Sequence, residues 1–255
     1  FFFKQKTAYE ISTRDWSSDV CSSDLNVMSD ANPKGFAGAK VHGRFAGGFG
    51  WIAYPGEFMQ RSSTALASDG RVWLIDPVAM TNIDSEIDAL GTVAGVIMTV
   101  GWHDRDVKWF ADRYGVPLYV PGNLTGAPSG APVVRVAGGI RDCPLQLLPC
   151  GGRGAVRPFQ ECAIWWPEHG VLVTGDSLGT ASYFSEGGAL GVHPIRRASP
   201  PVEFAGLPVR RLFPGHGMSL SGDGLAEEVA RVVHTARWEF IPGWVQAVRA
   251  AATHR

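Results

Sequence analysis

The chain of 255 residues is 45% hydrophobic and 18% charged, enough apolar material for one sizeable globular domain. Its 23 basic and 24 acidic residues leave a net charge of −1 with no block of like sign, which excludes a nucleic-acid surface built on bulk electrostatics. No apolar run approaches the roughly 20 residues that span a bilayer. Cys21, Cys143, Cys150 and Cys162 show neither the paired spacing of a zinc knuckle nor the density of a disulfide scaffold, so reduced thiols in a cytoplasm are the expectation.

Phe1–Leu25 has no sustained period and resembles the translated sequencing-adapter peptide found at the ends of assembled reading frames. It is read as a non-native extension, residues 26–255 as the native domain, and Met28 as a candidate start. The first predicted strand is Val41–Phe45. Ser62–Ala67 and Arg71–Ile75 form a hairpin turned by Ser68-Asp69-Gly70, and it ends in Asp76-Pro77, where proline stops the strand. A short helix around Asp84–Leu90 leads into Val96–Val100, a β-branched run that reads as a buried strand. The helix Asp106–Tyr114 follows, with Val107, Phe110 and Ala111 at helical spacing. Between those two elements Gly101–Asp106 packs an imidazole, carboxylates and a guanidinium into one turn. Turns at the carboxyl ends of strands are where α/β architectures bind ligands, although Asp104 or Asp106 in such a turn is also a natural helix cap.

Pro117–Val120 is the next predicted strand, and Pro121–Pro132 is a Gly/Pro/Ser-rich loop. Strands at Val133–Val136 and Leu145–Leu148 precede a second hairpin, Glu161–Trp166 with Gly170–Thr174, which ends in Gly175-Asp176-Ser177. The stretch to Pro208 has little periodicity and reads as a lid or binding loop from which His193 could reach a site. Val209–Phe213 is a strand ending in Pro214-Gly215-His216-Gly217. Leu225, Val229, Val232, Val233 and Ala236 mark an amphipathic helix, and a last helix begins near Trp244. The pattern suits one domain of two sheets flanked by helices, with Asp76, His103, Asp176 and His216 all at strand ends. Gly175–Gly179 also fits G-x-S-x-G and resembles the block of GDSL-type serine esterases, which makes Ser177 a candidate nucleophile. The segment after it is a poor helix where a nucleophile elbow needs a good one.

A hairpin ending in LIDP, a strand ending in a His/Asp turn, a hairpin ending in TGD and a strand ending in GHG, in that order from Ser62 to Arg237, resemble the metallo-β-lactamase superfamily. The resemblance implies an α+β fold, a four-layer αβ/βα sandwich holding one or two metals, usually zinc, at the sheet edge. The superfamily's HxHxDH frame falls on Gly101–Asp106 and keeps only His103, with Arg105 where the frame has Asp and Asp106 where it has its last His. The separate His falls near Arg157, and Asp176 and His216 match. Carried onto these positions, the implied metal ligands are His103, Asp106, Asp176 and His216, for at most one ion of zinc, iron or manganese. Arg105 and Arg157 would bind substrate or replace metal charge. The implied function is hydrolysis of a small, anionic ester, thioester, amide or phosphoester. One alternative is a metal-free protein binding a small anion through an Arg/Asp/His network, and a second is a serine esterase using Ser177. The expected partner is a small molecule, with no nucleic acid and no membrane, and the oligomeric state stays open.

Overall fold

Period-two alternation sorts the side chains of each strand to two faces, and the computed structural model, which describes residues 39–103, 105–150 and 160–253, fixes where each face goes. Phe1–Leu25, Met28, Asp104 and Arg157 lie outside the described residues. Among the described residues, the first sheet runs in sequence order through β1 (Lys40–Phe45), β2 (Gly48–Ile52), β3 (Ser62–Ser68), β4 (Arg71–Ile75), β5 (Thr92–Ile97), β6 (Leu118–Pro121) and β7 (Val133–Val136). Pairing is antiparallel from β1 to β4 and parallel from β4 to β7. The second sheet takes β8 (Gln146–Cys150), β9 (Glu161–Trp166) and β10 (Val171–Thr174). Beyond a small ribbon of β11 (Leu178–Gly179) and β12 (Gly191–Val192) it adds β13 (Arg211–Pro214) and β14 (Leu220–Ser221), in the spatial order β14-β13-β10-β9-β8.

In β4, Val72 and Leu74 face outward to helices α1 (Ile83–Asp88) and α2 (Val107–Tyr114), where they pack with Ile83, Ile87, Val107 and Phe110. Trp73 and Ile75, on the alternate positions, face the second sheet and meet Ile164, Trp166, Val171, Val173 and Phe213. The outer face of that second sheet, Ala163, Trp165, Leu172 and Leu212, is covered by Leu225, Val229, Val232 and Val233 of α3 (Leu225–Thr235). Three apolar seams therefore separate four layers, and the chain is an α+β, αβ/βα sandwich. A final helix, α4 (Phe240–Thr253), packs its Gly243 and Ala247 inward. No helix among the described residues is long and apolar enough to cross a membrane.

Several elements differ from the sequence reading for identifiable reasons. Strand β2 had no sequence signal because GFGWI is glycine-rich and buried throughout, with no alternation to detect. Its glycines make room: a Cβ on Gly50 would lie 2.5 Å from the His42 ring, and one on Gly48 would lie 2.1 Å from the Ala65 carbonyl. The buried run read as Val96–Val100 starts earlier, at Thr92, and leaves the sheet after Ile97, while Val100 makes a lone bridge to Glu161 across to the second sheet. The stretch before Pro208 is not a bare loop, since it carries β11, β12 and three 3-10 turns.

His42 joins the two sheets through a neutral ring. Its Nδ1 accepts the Ser219 backbone N–H at 3.2 Å, and its Nε2 lies 3.1 Å from the Ser62 hydroxyl. Burial lowers its pKa from 6.5 to about 4. Because the unfolded chain binds a proton there between those two values and the folded chain does not, folding stability falls as pH drops through that window and is flat above it. Urea unfolding at pH 7 and pH 5 should therefore show His42→Gln losing about 1–2 kcal/mol less on acidification than the wild type. Equal losses in both proteins would remove His42 as the titrating group.

Candidate metal centre

The two sheets meet along one rim, and they do so backbone to backbone. Val100 bridges Glu161, Arg61 bridges His216, the Cys162 N–H donates to the Thr99 carbonyl at 2.8 Å and the Ser62 N–H to the Gly215 carbonyl at 2.8 Å, while within the second sheet the Gly215 N–H donates to the Gly175 carbonyl at 3.1 Å. Such contact needs glycine. A Cβ on Gly175 would sit 2.2 Å from the Val100 side chain, and one on Gly215 would sit 2.4 Å from the Gly175 carbonyl oxygen. The turns after β5, β10 and β13 are thereby pressed together, and with them His103, Asp176 and His216, which are 2%, 4% and 0% exposed.

Both imidazoles converge on a single oxygen. His103 Nε2 and His216 Nε2 each lie 2.9 Å from Asp176 Oδ1, with the rings edge to face at 5.5 Å. The other carboxylate oxygen, Oδ2, accepts the Trp102 indole N–H at 2.8 Å. Behind the rings, His103 Nδ1 lies 3.1 Å from Asp76 Oδ2, and His216 Nδ1 lies 3.0 Å from the Met59 carbonyl oxygen. Asp76 turns back toward His103 from a left-handed backbone conformation (φ 44°) that Asp tolerates better than most residues. Its carboxylate is fixed by the Thr99 N–H at 2.9 Å and by the Thr99 hydroxyl.

These contacts decide the tautomers. A carbonyl can only accept, so His216 carries its proton on Nδ1, and in the neutral ring the Nε2 lone pair then faces the lone pairs of Asp176 Oδ1. His103, backed by a carboxylate, repeats the arrangement. A proton shared by His103 between its two carboxylates satisfies that ring and leaves the contact between His216 and Asp176 uncured. Two lone-pair atoms at 2.9 Å in a buried site call for a positive partner, which either a proton on His216 Nε2 or a cation held by both atoms would supply. Burial pushes the Asp176 carboxyl up, but the charge and hydrogen bonds of His103 and His216 outweigh it and hold the group well below the usual carboxylate range. Burial and the Arg105 charge pull His103 down, while Asp176 and Asp76 carry it well above the usual imidazole range. His216 is lowered by burial, against the pull of Asp176.

Among the described residues, the group with metal-ligating geometry is His103, Asp176 and His216, with ligand atoms all within 4.8 Å of one another. The separation of 2.9 Å from each imidazole nitrogen to Oδ1 approaches the ligand spacing of about 3.3 Å around a small four-coordinate ion. The set of two imidazoles and one carboxylate suits zinc, iron(II) or manganese, so the residues present fit one such ion.

The structure does not bring Asp106 to this cluster. Its Oδ2 accepts the Ala79 N–H at 2.6 Å, tying the start of α2 to the segment after Asp76, so the ligand role read from the HxHxDH frame is corrected to a structural one. Arg105 is at the site, but its guanidinium spans backbone carbonyls: those of Ser62, of Asp76 at 3.2 Å and of Gly215 at 2.9 Å. It staples the two sheets beside the cluster and adds a fixed positive charge. Ser177 is fully buried, donates its hydroxyl to Glu161 at 2.6 Å, and is followed by a two-residue strand instead of a helix, which removes the nucleophile-elbow reading. His193 stands one ring back from the site, against Phe184, which stacks on His216 at 5.8 Å. Burial lowers its pKa to about 4.

Glu161, Trp102 and Met59 belong to the site and were not among the residues assigned to it from sequence. Glu161 is fully buried, and burial raises its pKa against the bonds from Ser177 and Gly175. The one sequence signal was an acid opening an otherwise apolar strand, ECAIWW. Gly101, where the HxHxDH frame has its first His, lies in close contact with another loop. The loop after β6 lies against it, so that a Cβ on Gly126 would be 1.7 Å from the Gly101 carbonyl oxygen and a Cβ on Gly101 would be 3.2 Å from Gly126 N.

No known family profile matches the chain, and no curated protein does. Solved structures do. The metallo-β-lactamase DIM-1 exposed to ceftazidime aligns with a TM-score of 0.55 at 13% identity, over 78% of this chain and 97% of that one. VMB-1 at pH 5.5 aligns at 0.56 and 12%, over 80% of this chain and 100% of that one. The metallo-β-lactamase FIM-1 from Pseudomonas aeruginosa in its mono-zinc form aligns at 0.53 and 16%, over 81% and 99%. At such identities the likeness concerns architecture, and it agrees with the three seams and the rim of turns described above: the chain has the metallo-β-lactamase fold.

Proposed function

We propose that this chain is a hydrolase that holds one divalent ion on His103, Asp176 and His216 and acts on a small anionic ester, thioester, amide or phosphoester. The observation that carries the reading is the pair of imidazoles whose Nδ1 atoms are backed by Asp76 and the Met59 carbonyl, so that both Nε2 atoms face one carboxylate oxygen. A zinc, iron or manganese ion there supplies Lewis acidity toward a carbonyl or phosphoryl oxygen and activates water.

The chain's own residues set the rest. The indole N–H of Trp102 engages Asp176 Oδ2, which leaves Oδ1 as the oxygen offered to an ion and supports a count of one. Asp76, Asp176 and Glu161 are three acids and Arg105 one base at the centre, so a divalent ion would bring the fully ionised set to neutrality. The ion and the fixed Arg105 guanidinium on one side of that neutral centre are what would favour an anionic group on a substrate. FIM-1 in its mono-zinc form is a protein of this fold with a single ion, which lends support to the same number here.

A second reading has its own observation. His103 lies between two carboxylates and holds its proton well above the usual imidazole range, which is how a metal-free, anion-binding site would satisfy Asp176. Metal analysis separates the two. Protein loaded with zinc and desalted should retain close to one ion per chain, and His103→Ala or His216→Ala should weaken retention by roughly 100-fold or more, since each removes one of three ligands. A wild-type protein that keeps no zinc, iron or manganese after loading would leave the metal-free reading in its place. Hydrolysis across a panel of ester, thioester, amide and phosphoester substrates should disappear on chelation and return with added ion; activity indifferent to chelator would overturn the metal dependence.

A further inference from the structure

A buried carboxylate outside the ligand set carries a further role. Glu161 opens β9 directly beneath the turn that presents Asp176. Its Oε1 accepts the Gly175 N–H at 2.9 Å, and its Oε2 accepts the Asp176 N–H at 3.1 Å, the Ser177 N–H at 2.7 Å and the Ser177 hydroxyl at 2.6 Å. Three successive backbone N–H groups wrapped around an acceptor form an anion-holding nest, and here the anion is a side chain of the protein itself. The backbone of Glu161 is anchored independently: its carbonyl accepts the Asn123 side-chain amide at 2.8 Å, and it bridges Val100, three residues before His103. One residue thus connects the loop after β6, the strand end before His103 and the turn bearing Asp176.

We infer that Glu161 is the positioning residue of the metal centre, fixing the Gly175–Ser177 turn so that Asp176 Oδ1 stays within 2.9 Å of both imidazole nitrogens. This rests on the one-ion reading above. The requirement is geometric. Asp176 must satisfy two histidines from different strand ends and the Trp102 indole with two oxygens, and its backbone has little latitude once those contacts are set. An apolar side chain at 161 would fill the volume and leave three buried N–H donors without an acceptor, so the turn would reorganise to find others and carry Asp176 with it. Gln keeps the size but presents an amide NH2 to some of the same donors.

The test is zinc affinity, measured by competition with a chromophoric chelator on the full chain, alongside urea unfolding and amide hydrogen exchange of the ion-free protein. Glu161→Gln should bind zinc roughly 10–100-fold more weakly than wild type, the effect expected when the group orienting a ligand is lost. The amides of Gly175, Asp176 and Ser177 should exchange faster. Ile164→Val, on the same strand but facing the inter-sheet core, serves as the stability control: it should lower the unfolding midpoint and leave zinc affinity unchanged. Zinc affinity of Glu161→Gln within about 2-fold of wild type, against that orienting effect, would overturn the inference while leaving the metal site standing. A wild type that binds no zinc removes the site and this role together. Should Glu161→Gln fail to fold, Ser177→Ala decides the matter, because it takes away one of the carboxylate's donors and leaves the turn amides in place. A measurable loss of affinity supports the positioning role, and none overturns it.

Discussion

An ionised carboxylate taken out of water is costly unless its oxygens are fully engaged, and Asp176 is buried at the joint between two sheets. Its partners come from far apart in the chain: Trp102 and His103 at the end of one strand, His216 at the end of another. Those groups reach one point only if three turns pack without side chains between them. Gly175 and Gly215 meet that condition, since a Cβ on either would fall inside the van der Waals radius of a neighbour. The same contact that satisfies the charge closes the rim of the sandwich, so the site and the fold are one constraint seen from two sides.

The rim is then held by further polar groups whose demands interlock. Arg105 gives its guanidinium to carbonyls from β3, the end of β4 and the turn after β13, tying backbone of both sheets together at the edge. Asp76 receives Thr99 on one side and His103 on the other, and Glu161 receives the turn that carries Asp176. Each of these side chains anchors backbone while aiming another side chain. Such networks are worth little when partly satisfied and a great deal when complete, which is why their members resist single replacement.

Much of the architecture was legible in the sequence. The apolar runs RVWLI and ECAIWW and the turn at Ser68-Asp69-Gly70 mark strands and the first hairpin, so element order follows, while the face each side chain takes is set by the packing of strands buried on both sides. His103, Asp176 and His216 stand in short motifs at strand ends, and their convergence was readable from motif order. What escaped has physical reasons. Strand β2 is buried on both faces and lacks a period. Glu161 acquires its meaning from amides about fifteen residues downstream, a relation that no local pattern encodes. Asp106 was read as a ligand because a frame aligned on His103 places it there, yet it stands outside the His103, Asp176 and His216 group and its Oδ2 accepts the Ala79 N–H.

Gly101 and Arg105, two departures from the HxHxDH frame beside the cluster, are each set in closely packed backbone. A Cβ at 101 would lie 3.2 Å from Gly126 N, a tight contact with a segment that Gln160 holds through the Thr125 N–H at 2.8 Å and hydroxyl at 2.6 Å. An aspartate at 105 would take the donors away from three carbonyls and set a third negative charge beside Asp76 and Asp176. Either change would thus act on the backbone around the cluster as well as on its ligand set. The narrow centre is therefore stabilised by the surrounding backbone as much as by its own three side chains. At this rim a guanidinium stands where the frame would have put a carboxylate, and it holds backbone from both sheets beside the cluster.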